Sequence, residues 1–342
     1  VTLRQHAQQD RAYIESCFGR SLYSPEQLHR AEQELCTGNH LGCHLWFTDG
    51  APTPGTAPTA EAKHLAEQAE LQAVRNRAYY SDNLDLHRSA VLRLTEQIQN
   101  CILIHQQPRA RVARIGQLDA AHVWRVPLLH DSRVFLASEE ENQPAFTVDL
   151  LLDASASRLH CQEVLAAQGV ILAKSLLACS IPVRVSSFCS LRGYTVLRIL
   201  KNFDEKSSQS IFRYFSSGWN RDGLALRAIG DLLAVFPGPA PRHLLLILTD
   251  ASPNDSLRVQ ASSENPFGHD YGDAFGVQDT AAEVRALRAK GIHVSAVFMG
   301  ESSSASHAAV IYGKELARIK GIDQLAKAAG ILIQHEIRSL ED

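Results

Sequence analysis

Two short apolar runs constrain the fold of this chain more than any other feature. Residues 146–152 read FTVDLLL, and residues 243–248 read HLLLIL. Each run is short and is followed by small or polar residues, which favours a buried strand over a helix. Between and after these runs, helical patterns alternate with further strand-like segments. Such alternation predicts a Rossmann-like, doubly wound α/β fold, in which helices cover both faces of a mostly parallel sheet.

The other elements of residues 146–342 follow from the spacing of their apolar residues. The predicted helices cover residues 160–179, 205–215, 222–235, 279–290 and 313–329, and the additional strands cover residues 181–188, 193–200, 291–299 and 331–334. We expect strand 193–200 at the edge of the sheet. In these strands or next to them, Arg184, Arg192 and Arg198 are expected to point to solvent.

The N-terminal part of the chain has a different pattern. Residues 1–106 carry apolar side chains at three- and four-residue steps, which predicts a helical N-terminal region. A Ser-Pro-Glu helix start signal stands at residues 24–26. Residues 49–62 are rich in Pro, Thr, Ala and Gly and are expected to form a loop or linker. Residues 107–145 are then a connector to the α/β domain, residues 146–342.

Composition argues against several classes of function. The formal net charge is −3, so neither nucleic acid nor a membrane surface is expected as the main partner. No apolar run approaches the roughly 20 residues that a membrane-spanning helix needs. Seven cysteines at irregular spacing do not make a disulfide framework, so we expect a cytoplasmic location. The start at Val1 leaves open whether an N-terminal region is missing.

A short segment near the N-terminus contains Cys36, His40, Cys43 and His44. Thiolates and imidazoles ligate zinc in proteins. The spacing C-x₃-H-x₂-C-H is not a standard zinc pattern, however, and adjacent residues reach the same ion with difficulty. Two interpretations stay open, a zinc site and a tight structural turn, and the turn is favoured.

Three oxygen-bearing side chains follow the first apolar run at alternate positions. They are Asp153, Ser155 and Ser157, in the motif DASAS. This places them on a loop at the carboxyl end of a strand, where open α/β sheets bind ligands. One carboxylate and two hydroxyls are hard oxygen ligands that suit Mg²⁺. The alternative is that these side chains cap the next helix.

Two further loops carry polar side chains at the same edge of the predicted sheet. Asn220 and Asp222 lie in the segment GWNRDG before a helix, and Asp250 ends the second apolar strand in LILTD. All three loops can converge at one edge of one sheet. The long segment 252–278 follows Asp250, so we expect it to border this edge and to form part of a partner surface.

This combination of motifs resembles a von Willebrand factor type A domain with a metal-ion-dependent adhesion site (MIDAS), over about residues 145–340. The resemblance implies bound Mg²⁺, or another divalent cation. The ligands that it implies are Asp153, Ser155, Ser157, Asp250 and a residue of the second loop. The family usually has Thr in that loop, where Asn220 stands here. Asn220 can offer a carbonyl oxygen, and Asp222 can ligate directly, act through water, or only start the helix.

Three segments resemble the nitric-oxide reductase activation protein family more closely. They are NRDG at 220–223, TDASPND at 249–255 and HDYG at 269–272, and the first also resembles the cobaltochelatase helper subunit. The resemblance implies an adaptor that works with a MoxR-type AAA+ ATPase and grips an acidic residue of its partner. Its role would be activation of a metalloenzyme or metal insertion into it. The chain has no GxxxxGK[ST] motif, so the resemblance implies a non-catalytic partner of the ATPase.

Two other functions are compatible with the same motifs. A metal-dependent hydrolase or chelatase subunit could use Asp153 as a nucleophile. An enzyme of the haloacid dehalogenase type would need a second Asp at the position of Ser155. An adhesion module is the common extracellular use of the fold, and the irregular cysteines argue against it. The fold alone does not choose between these functions.

Overall fold

The computed structural model describes residues 2–50, 59–105, 110–113, 115, 117–121, 123–129, 133–138, 146–261 and 266–339. The helices are α1 Thr2–Phe18, α2 Pro25–Leu35, α3 Ala60–Asp82, α4 Leu84–His105, α5 Arg125–Leu129, α6 Gln162–Ala178, α7 Asp222–Val235, α8 Asp273–Ala289, α9 Ala305–Tyr312 and α10 Ile322–Ser339. The strands are β1 His44–Thr48, β2 Ala110–Ala113, β3 Gln117–Leu118, β4 Phe135–Ser138, β5 Phe146–Asp153, β6 Val183–Leu191, β7 Tyr194–Lys201, β8 Arg242–Thr249, β9 Asp255–Val259, β10 His269–Tyr271, β11 His293–Phe298 and β12 Leu316–Arg318.

The main sheet has seven strands in the spatial order β1-β7-β6-β5-β8-β11-β12. Only the β6–β7 pair is antiparallel, and the other neighbouring strands of this sheet are parallel. The first apolar run forms β5 in the centre, where every residue is buried. Parallel sheets need cover on both faces, which explains why β5 is apolar without alternation. The predicted doubly wound, mostly parallel fold is confirmed.

Side chains of successive residues in β5 enter two separate cores, because they point to opposite faces of the sheet. Val148, Leu150 and Leu152 pack into the core that contains residues of α4, α6 and α10. Leu151 packs into the core that contains residues of α7, α8 and α9. The carboxyl end of β5 is therefore held rigidly between two helical layers, and this positions the loop that follows it.

The N-terminal region contributes a strand as well as helices. β1 pairs in parallel with β7, from His44 opposite Tyr194 to Thr48 opposite Arg198. The predicted edge position of strand 193–200 is therefore wrong, because β1 lies outside it. A helical N-terminal region is present, as predicted. Its helix α4 packs on α6 and α10, so it shares a core with the sheet.

The predicted last strand, residues 331–334, is wrong, since this run belongs to helix α10. A short apolar run cannot be assigned to helix or strand by periodicity alone. Here Leu332, Ile333 and Ile337 are buried in the core that α10 shares with α4. The predicted long loop 252–278 also contains regular structure. In it β9 and β10 pair as an antiparallel ribbon, and α8 begins at Asp273.

The expectation that Arg184 points to solvent is wrong. Arg184 is 1% exposed and lies opposite Asp149 in the β5–β6 register. Its Nε donates to Asp149 Oδ1 at 2.6 Å, and its Nη1 donates to the Phe236 carbonyl oxygen at 2.9 Å. Two helical layers cover this part of the sheet, so the strand has no solvent face. Arg192 is exposed, as expected, and Arg198 is half-buried.

Within the part of the chain that the structure describes, one helical stretch, Ala156–Ala178, is long and apolar enough to cross a membrane. It includes α6, and 67% of its most apolar window is buried inside the fold. Its residues Leu165, Val170 and Leu172 are fully buried in the core. Core helices of this kind are hydrophobic on all sides. We therefore interpret this stretch as a core helix.

Candidate functional site

Three loops meet at the carboxyl edge of the main sheet. β5 and β8 are parallel neighbours with Leu152 opposite Leu248, so Asp153 and Asp250 leave the sheet close together. Ser157 Oγ donates a hydrogen bond to Asp250 Oδ2 at 2.7 Å, and its distance to Ser155 Oγ is 2.9 Å. The Ser155 backbone N–H donates to Asp153 Oδ1 at 2.9 Å. The structure thus joins the first and third predicted loops through their side chains.

The second loop is fixed to the other two by its backbone. Asn220 exchanges a pair of backbone hydrogen bonds with Asn254, each 2.9 Å long. The Asn220 Nδ2 group donates to Asp222 Oδ1 at 3.0 Å and to the Ser252 carbonyl oxygen at 3.1 Å. These bonds orient the side-chain amide. Its carbonyl oxygen is then the polar atom of Asn220 that remains for a ligand.

Gly218 gives the second loop a shape that another residue would strain. Its φ is +68°, in the left-handed region that favours glycine. A Cβ at this position would come within 2.5 Å of the Ser190 carbonyl oxygen. Trp219 next to it forms backbone hydrogen bonds with Ser190 in both directions. The loop is thus pressed against β6, which holds Asn220 at the edge of the sheet.

The site concentrates buried negative charge. Asp153, Asp222 and Asp250 are 0%, 3% and 5% exposed. Burial and the neighbouring Asp250 carboxylate together raise the pKa of Asp153 to about 7, while Arg158 opposes the shift. Burial also raises the pKa of Asp222, with Asp153 and Asp250 adding to the effect. Both shifts have the same cause, since a buried carboxylate next to another carboxylate is costly to ionise.

The residues at this edge fit a divalent cation. Asp153 Oδ2 is buried and accepts no hydrogen bond from the residues that the structure describes. Buried carboxylate oxygens without a partner are costly. The surrounding donors are carboxylate, hydroxyl and amide oxygens, which are the ligands of Mg²⁺ and other hard cations. All six predicted ligands lie in these three loops: Asp153, Ser155, Ser157, Asn220, Asp222 and Asp250.

Arg158 also lies in this site, a position that its local sequence does not indicate. It is 4% exposed, and its Nη2 donates to Asp250 Oδ2. Its Nη1 donates to the Met299 carbonyl oxygen at 2.8 Å. An arginine beside a DxSxS motif is compatible with either an exposed or a buried position, so sequence reasoning missed it. The site therefore contains one guanidinium among three carboxylates.

A second arginine, Arg221, supports the site from behind and is fully buried. Its Nη1 donates to Asp255 Oδ2 at 2.7 Å, and its Nε donates to His40 Nδ1 at 3.1 Å. Its Nη2 donates to the Asn39 carbonyl oxygen at 2.6 Å. The guanidinium also lies over the Tyr271 ring, 4.3 Å from its centroid. Arg221 thus ties the second loop to β9 and to the N-terminal region.

His40 belongs to the one group of three or more potential ligands from His, Cys, Asp and Glu found among the described residues. The group is His40, Asp279 and Glu283, with one potential ligand atom of each within 4.8 Å of the others. Glu283 Oε1 accepts from Arg227 at 2.7 Å. Because His40 Nδ1 accepts a hydrogen bond from Arg221, the proton of the neutral ring is on Nε2, 3.4 Å from Asp279 Oδ2. A protonated nitrogen cannot ligate a metal, so the hydrogen bond from Arg221 to His40 argues against a metal at this group.

Of the four predicted zinc ligands near the N-terminus, only His40 belongs to that group, and Cys36, Cys43 and His44 do not. Cys36 and Cys43 are buried, and His44 Nδ1 is 3.3 Å from Glu32 Oε1. The segment between the cysteines turns sharply, with positive φ at Gly38 and Gly42. The described structure supports a tight turn.

The buried position of His40 predicts a pH dependence of stability. Burial lowers its pKa to about 3, against the opposing effect of Asp279, whereas an unfolded histidine titrates near 6.5. Below pH 6.5 the unfolded state therefore binds more protons than the folded state. As the pH falls from 6.5 to 3, the contribution of His40 to the free energy of unfolding should decrease by up to about 1.4 kcal/mol per pH unit.

His40→Asn should flatten this dependence, because asparagine does not titrate. Its side-chain oxygen can still accept the hydrogen bond from Arg221 Nε, so the fold should be preserved. The measurement is urea unfolding at several pH values between 4.5 and 7.5. His64→Asn, at an exposed position on α3, is the matched control and should follow the wild-type profile. Parallel profiles for wild type and His40→Asn would contradict the prediction.

No family model matches this chain. Among curated proteins, this chain is 27% identical over 212 residues to protein NorD of Brucella suis biovar 1. The matched region covers 60% of this chain and 30% of NorD. Protein NorD of Brucella abortus is 27% identical over 203 residues, which covers 58% of this chain and 29% of NorD. The match spans less than a third of the length of these relatives.

Solved structures with a similar fold include three chains. The pilus adhesin SpaC of Lactobacillus rhamnosus GG is 12% identical with a TM-score of 0.44, and covers 58% of this chain and 30% of its own. The vWF domain of the type V pili tip protein Mfa5 of Porphyromonas gingivalis is 10% identical with a TM-score of 0.43. The match covers 58% of this chain and 97% of the Mfa5 chain. Manganese-loaded TRAP of Plasmodium vivax is 15% identical with a TM-score of 0.41. The match covers 57% of this chain and 74% of the TRAP chain.

These likenesses to solved structures concern the fold only. The similarity to NorD is a similarity of sequence. The mostly parallel sheet and the DASAS loop are features of this chain itself. The chain has a doubly wound, mostly parallel α/β fold and is similar in sequence to NorD over part of its length.

Proposed function

We propose that this protein is a metal-dependent protein-interaction adaptor. Mg²⁺, or another divalent cation, would be held at the carboxyl edge of the sheet and would bind an acidic residue of a partner protein. The observation that carries this proposal is the buried cluster of three carboxylates, in which Asp153 Oδ2 has no hydrogen-bond partner among the described residues. One guanidinium, that of Arg158, does not balance this charge.

A bound divalent cation would supply the missing positive charge and a coordination position for an outside carboxylate. The chain's own residues prepare that position. The hydroxyls of Ser155 and Ser157 are neutral, so they can contribute to coordination without cancelling the charge of a cation. Ser157 is exposed in its loop, whereas Asp153 is buried beneath it. This arrangement leaves the solvent side of the site for a partner.

Exposed aromatic side chains in the second loop and in the segment 252–278 support a role of these segments in partner binding. Trp219 precedes Asn220 in the second loop and is 45% exposed. Phe267, in the turn between β9 and β10, is 91% exposed. Aromatic side chains of this kind are enriched in protein–protein interfaces. We propose that the segment 252–278 contributes to the contact, as the sequence suggested.

The relation to NorD supports an activation or helper role. We extend this to a specific proposal, in which a MoxR-type AAA+ ATPase is the partner and a metalloenzyme is the client. The ATPase would supply the nucleotide chemistry, because this chain has no GxxxxGK[ST] motif. A cytoplasmic location is part of the proposal. The seven free cysteines support it, since free thiols persist in reducing compartments.

The first test is metal-dependent stability. Mg²⁺ at 100 times its Kd should raise the free energy of unfolding by about 2.7 kcal/mol relative to EDTA. Asp153→Asn should abolish this response, because it replaces a buried carboxylate ligand by a neutral amide. Its metal-free stability should be equal to or above that of wild type, since mutual repulsion among the carboxylates is reduced. Thermal and urea unfolding with and without Mg²⁺ measure both effects.

Asp270→Asn is the matched control for this test. Asp270 has an 85% exposed side chain and pairs with Arg258 on the β9–β10 ribbon, outside the carboxylate cluster. This variant should keep the full Mg²⁺ response. The partner proposal is tested by recovery of the cognate ATPase on the immobilised protein in Mg²⁺ and in EDTA. Equal recovery in the two buffers, or equal stability with and without Mg²⁺, would refute the proposed function.

A further inference from the structure

The guanidinium of Arg158 is bonded to a residue that is predicted to hold the metal. Asp250 Oδ2 accepts from Arg158 Nη2 and also from Ser157 Oγ, the latter at 2.7 Å. Asp250 Oδ1 accepts from the Ser252 backbone N–H at 3.2 Å. A carboxylate oxygen has about two lone-pair positions. Both positions of Oδ2 are therefore used in the arrangement that the structure shows.

We infer that Arg158 competes with the metal for Asp250, so that Arg158 must release this carboxylate when a cation binds and thereby sets the metal affinity of the site. This inference rests on the proposed function, because it concerns the same site. It makes Arg158 a positioning residue and an internal counter-ion, which holds Asp250 in place while the site is without metal.

Charge gives the first reason for competition. A guanidinium is always protonated in proteins, and it would lie next to a divalent cation on the same carboxylate. Two positive charges bound to the same carboxylate in a poorly solvated site repel each other strongly. Asp250 cannot serve both cations through Oδ2 without this repulsion. Coordination by Asp250 therefore favours a position of Arg158 away from the site.

The local structure offers a route for this exchange. Asp153 Oδ2 receives no hydrogen bond from Arg158 or from other described residues, so one carboxylate of the site is open to an entering cation. Arg158 lies in the short 3₁₀ turn Ala156–Cys161, and its neighbours Ser157 and Leu159 are exposed. Its side chain thus starts from a surface turn. We expect rotation about the side-chain bonds of Arg158 to bring its guanidinium to water when a cation binds.

The test measures Mg²⁺ binding to the full chain by isothermal titration calorimetry. Arg158→Met should bind Mg²⁺ at least ten times more tightly than wild type, because it removes the competitor and keeps the apolar stem. Its melting temperature without metal should be lower, since three buried carboxylates then lack a counter-charge. Arg158→Lys keeps a positive charge and should bind Mg²⁺ less tightly than Arg158→Met. Arg285→Met, at an exposed position on α8, is the control and should match wild type.

The outcomes separate this inference from the proposed function. Equal or weaker Mg²⁺ binding by folded Arg158→Met, with normal binding by wild type, overturns the competition and leaves the metal site intact. No Mg²⁺ binding by either protein overturns both. If Arg158→Met does not fold, wild-type crystals soaked in Mn²⁺ decide the question. The guanidinium should then lie away from Asp250, and a guanidinium still bonded to Asp250 beside the bound Mn²⁺ would overturn the inference.

Discussion

Replacing Arg221 with methionine should lower the free energy of unfolding by about 3–5 kcal/mol, the range expected when one partner of a buried ion pair is removed. Arg221 is fully buried and donates to Asp255, which is 6% exposed. Methionine keeps most of the apolar volume but leaves the Asp255 carboxylate without its counter-charge. The carbonyl oxygens of Asn39 and Leu257 also lose their donors. Urea unfolding at neutral pH measures the loss.

Arg258→Met is the matched control for this prediction. Arg258 lies in β9, the same strand as Asp255, and pairs with Asp270, but the two side chains are 68% and 85% exposed. Exposed ion pairs contribute about 0–1 kcal/mol, so this variant should stay close to wild type. The double variant Arg221→Met, Asp255→Leu should recover part of the loss, since no buried charge is then uncompensated. A loss below 1 kcal/mol in Arg221→Met would show that the network is not needed.

The same substitution should weaken the response to Mg²⁺. Arg221 stands between Asn220 and Asp222, and its bonds to His40 and Asn39 hold the second loop against the N-terminal region. Without them the loop keeps its backbone bonds to Ser190 and Asn254 but is held less firmly relative to Asp153. Arg258→Met leaves these bonds in place and should keep the response. Comparison of the two variants thus separates the support of the loop from a general effect of removing an arginine on this side of the molecule.

Elements with a long, unambiguous pattern could be predicted from the sequence. Helix α7 has apolar residues at helical spacing, and its observed bounds, Asp222–Val235, are those predicted. The strand at 243–248 was also recognised, within β8 Arg242–Thr249. The prediction of a strand at 331–334 is wrong, because a run of only three apolar residues and one glutamine is compatible with a strand and with one turn of a helix. Its packing against α4, far away in sequence, decides for the helix.

Strand β1 illustrates a different limit. Its five residues, HLWFT, follow a tight turn and precede a Pro-rich segment. Trp46, Phe47 and Thr48 are residue types that favour strands, but the run is too short to identify one, and it becomes a strand by pairing with β7, about 150 residues later in the chain. Long-range pairing of this kind depends on tertiary context more than on intrinsic propensity. The sequence therefore predicted helices for this region and missed the strand that places it in the sheet.

The candidate site was predictable where it depends on strand ends. Asp153 and Asp250 follow two apolar strands, so their convergence could be inferred from the direction of the strands alone. The roles of Arg158 and Arg221 could not be inferred in this way. An arginine is usually exposed, and it is buried only where carboxylates from distant segments surround it. Asp250 and Asp255, the partners of these two arginines, are distant from them in sequence.

The second large effect should come from the Arg184–Asp149 pair in the middle of the sheet. Arg184→Met should lower the free energy of unfolding by about 3–5 kcal/mol at pH 8, because Asp149 is then a buried carboxylate without its guanidinium partner. The two residues are opposite each other in neighbouring parallel strands, and both are 1% exposed. Neither side chain can reach water without opening the sheet. Chemical unfolding of wild type and variant at a fixed pH measures the difference.

The loss in Arg184→Met should depend on pH in a definite direction. Burial raises the pKa of Asp149 even with Arg184 in place, and removal of Arg184 raises it further. Between the unfolded pKa of about 3.9 and this raised value, the folded state binds more protons than the unfolded state. Stability of the variant therefore falls as pH rises through this window. The deficit relative to wild type should be smaller at pH 5 than at pH 8.

The double variant Asp149→Leu, Arg184→Met completes the test of this pair. It removes both charges and fills the space with apolar groups, which is often neutral or stabilising for buried ion pairs. It should recover most of the stability lost in Arg184→Met and should lose the additional pH dependence. If instead the double variant is as unstable as Arg184→Met at every pH, the lost stability comes from packing or from the bond of Arg184 to the Phe236 carbonyl oxygen. The pair would then contribute shape to the centre of the sheet, and its charges would have little weight.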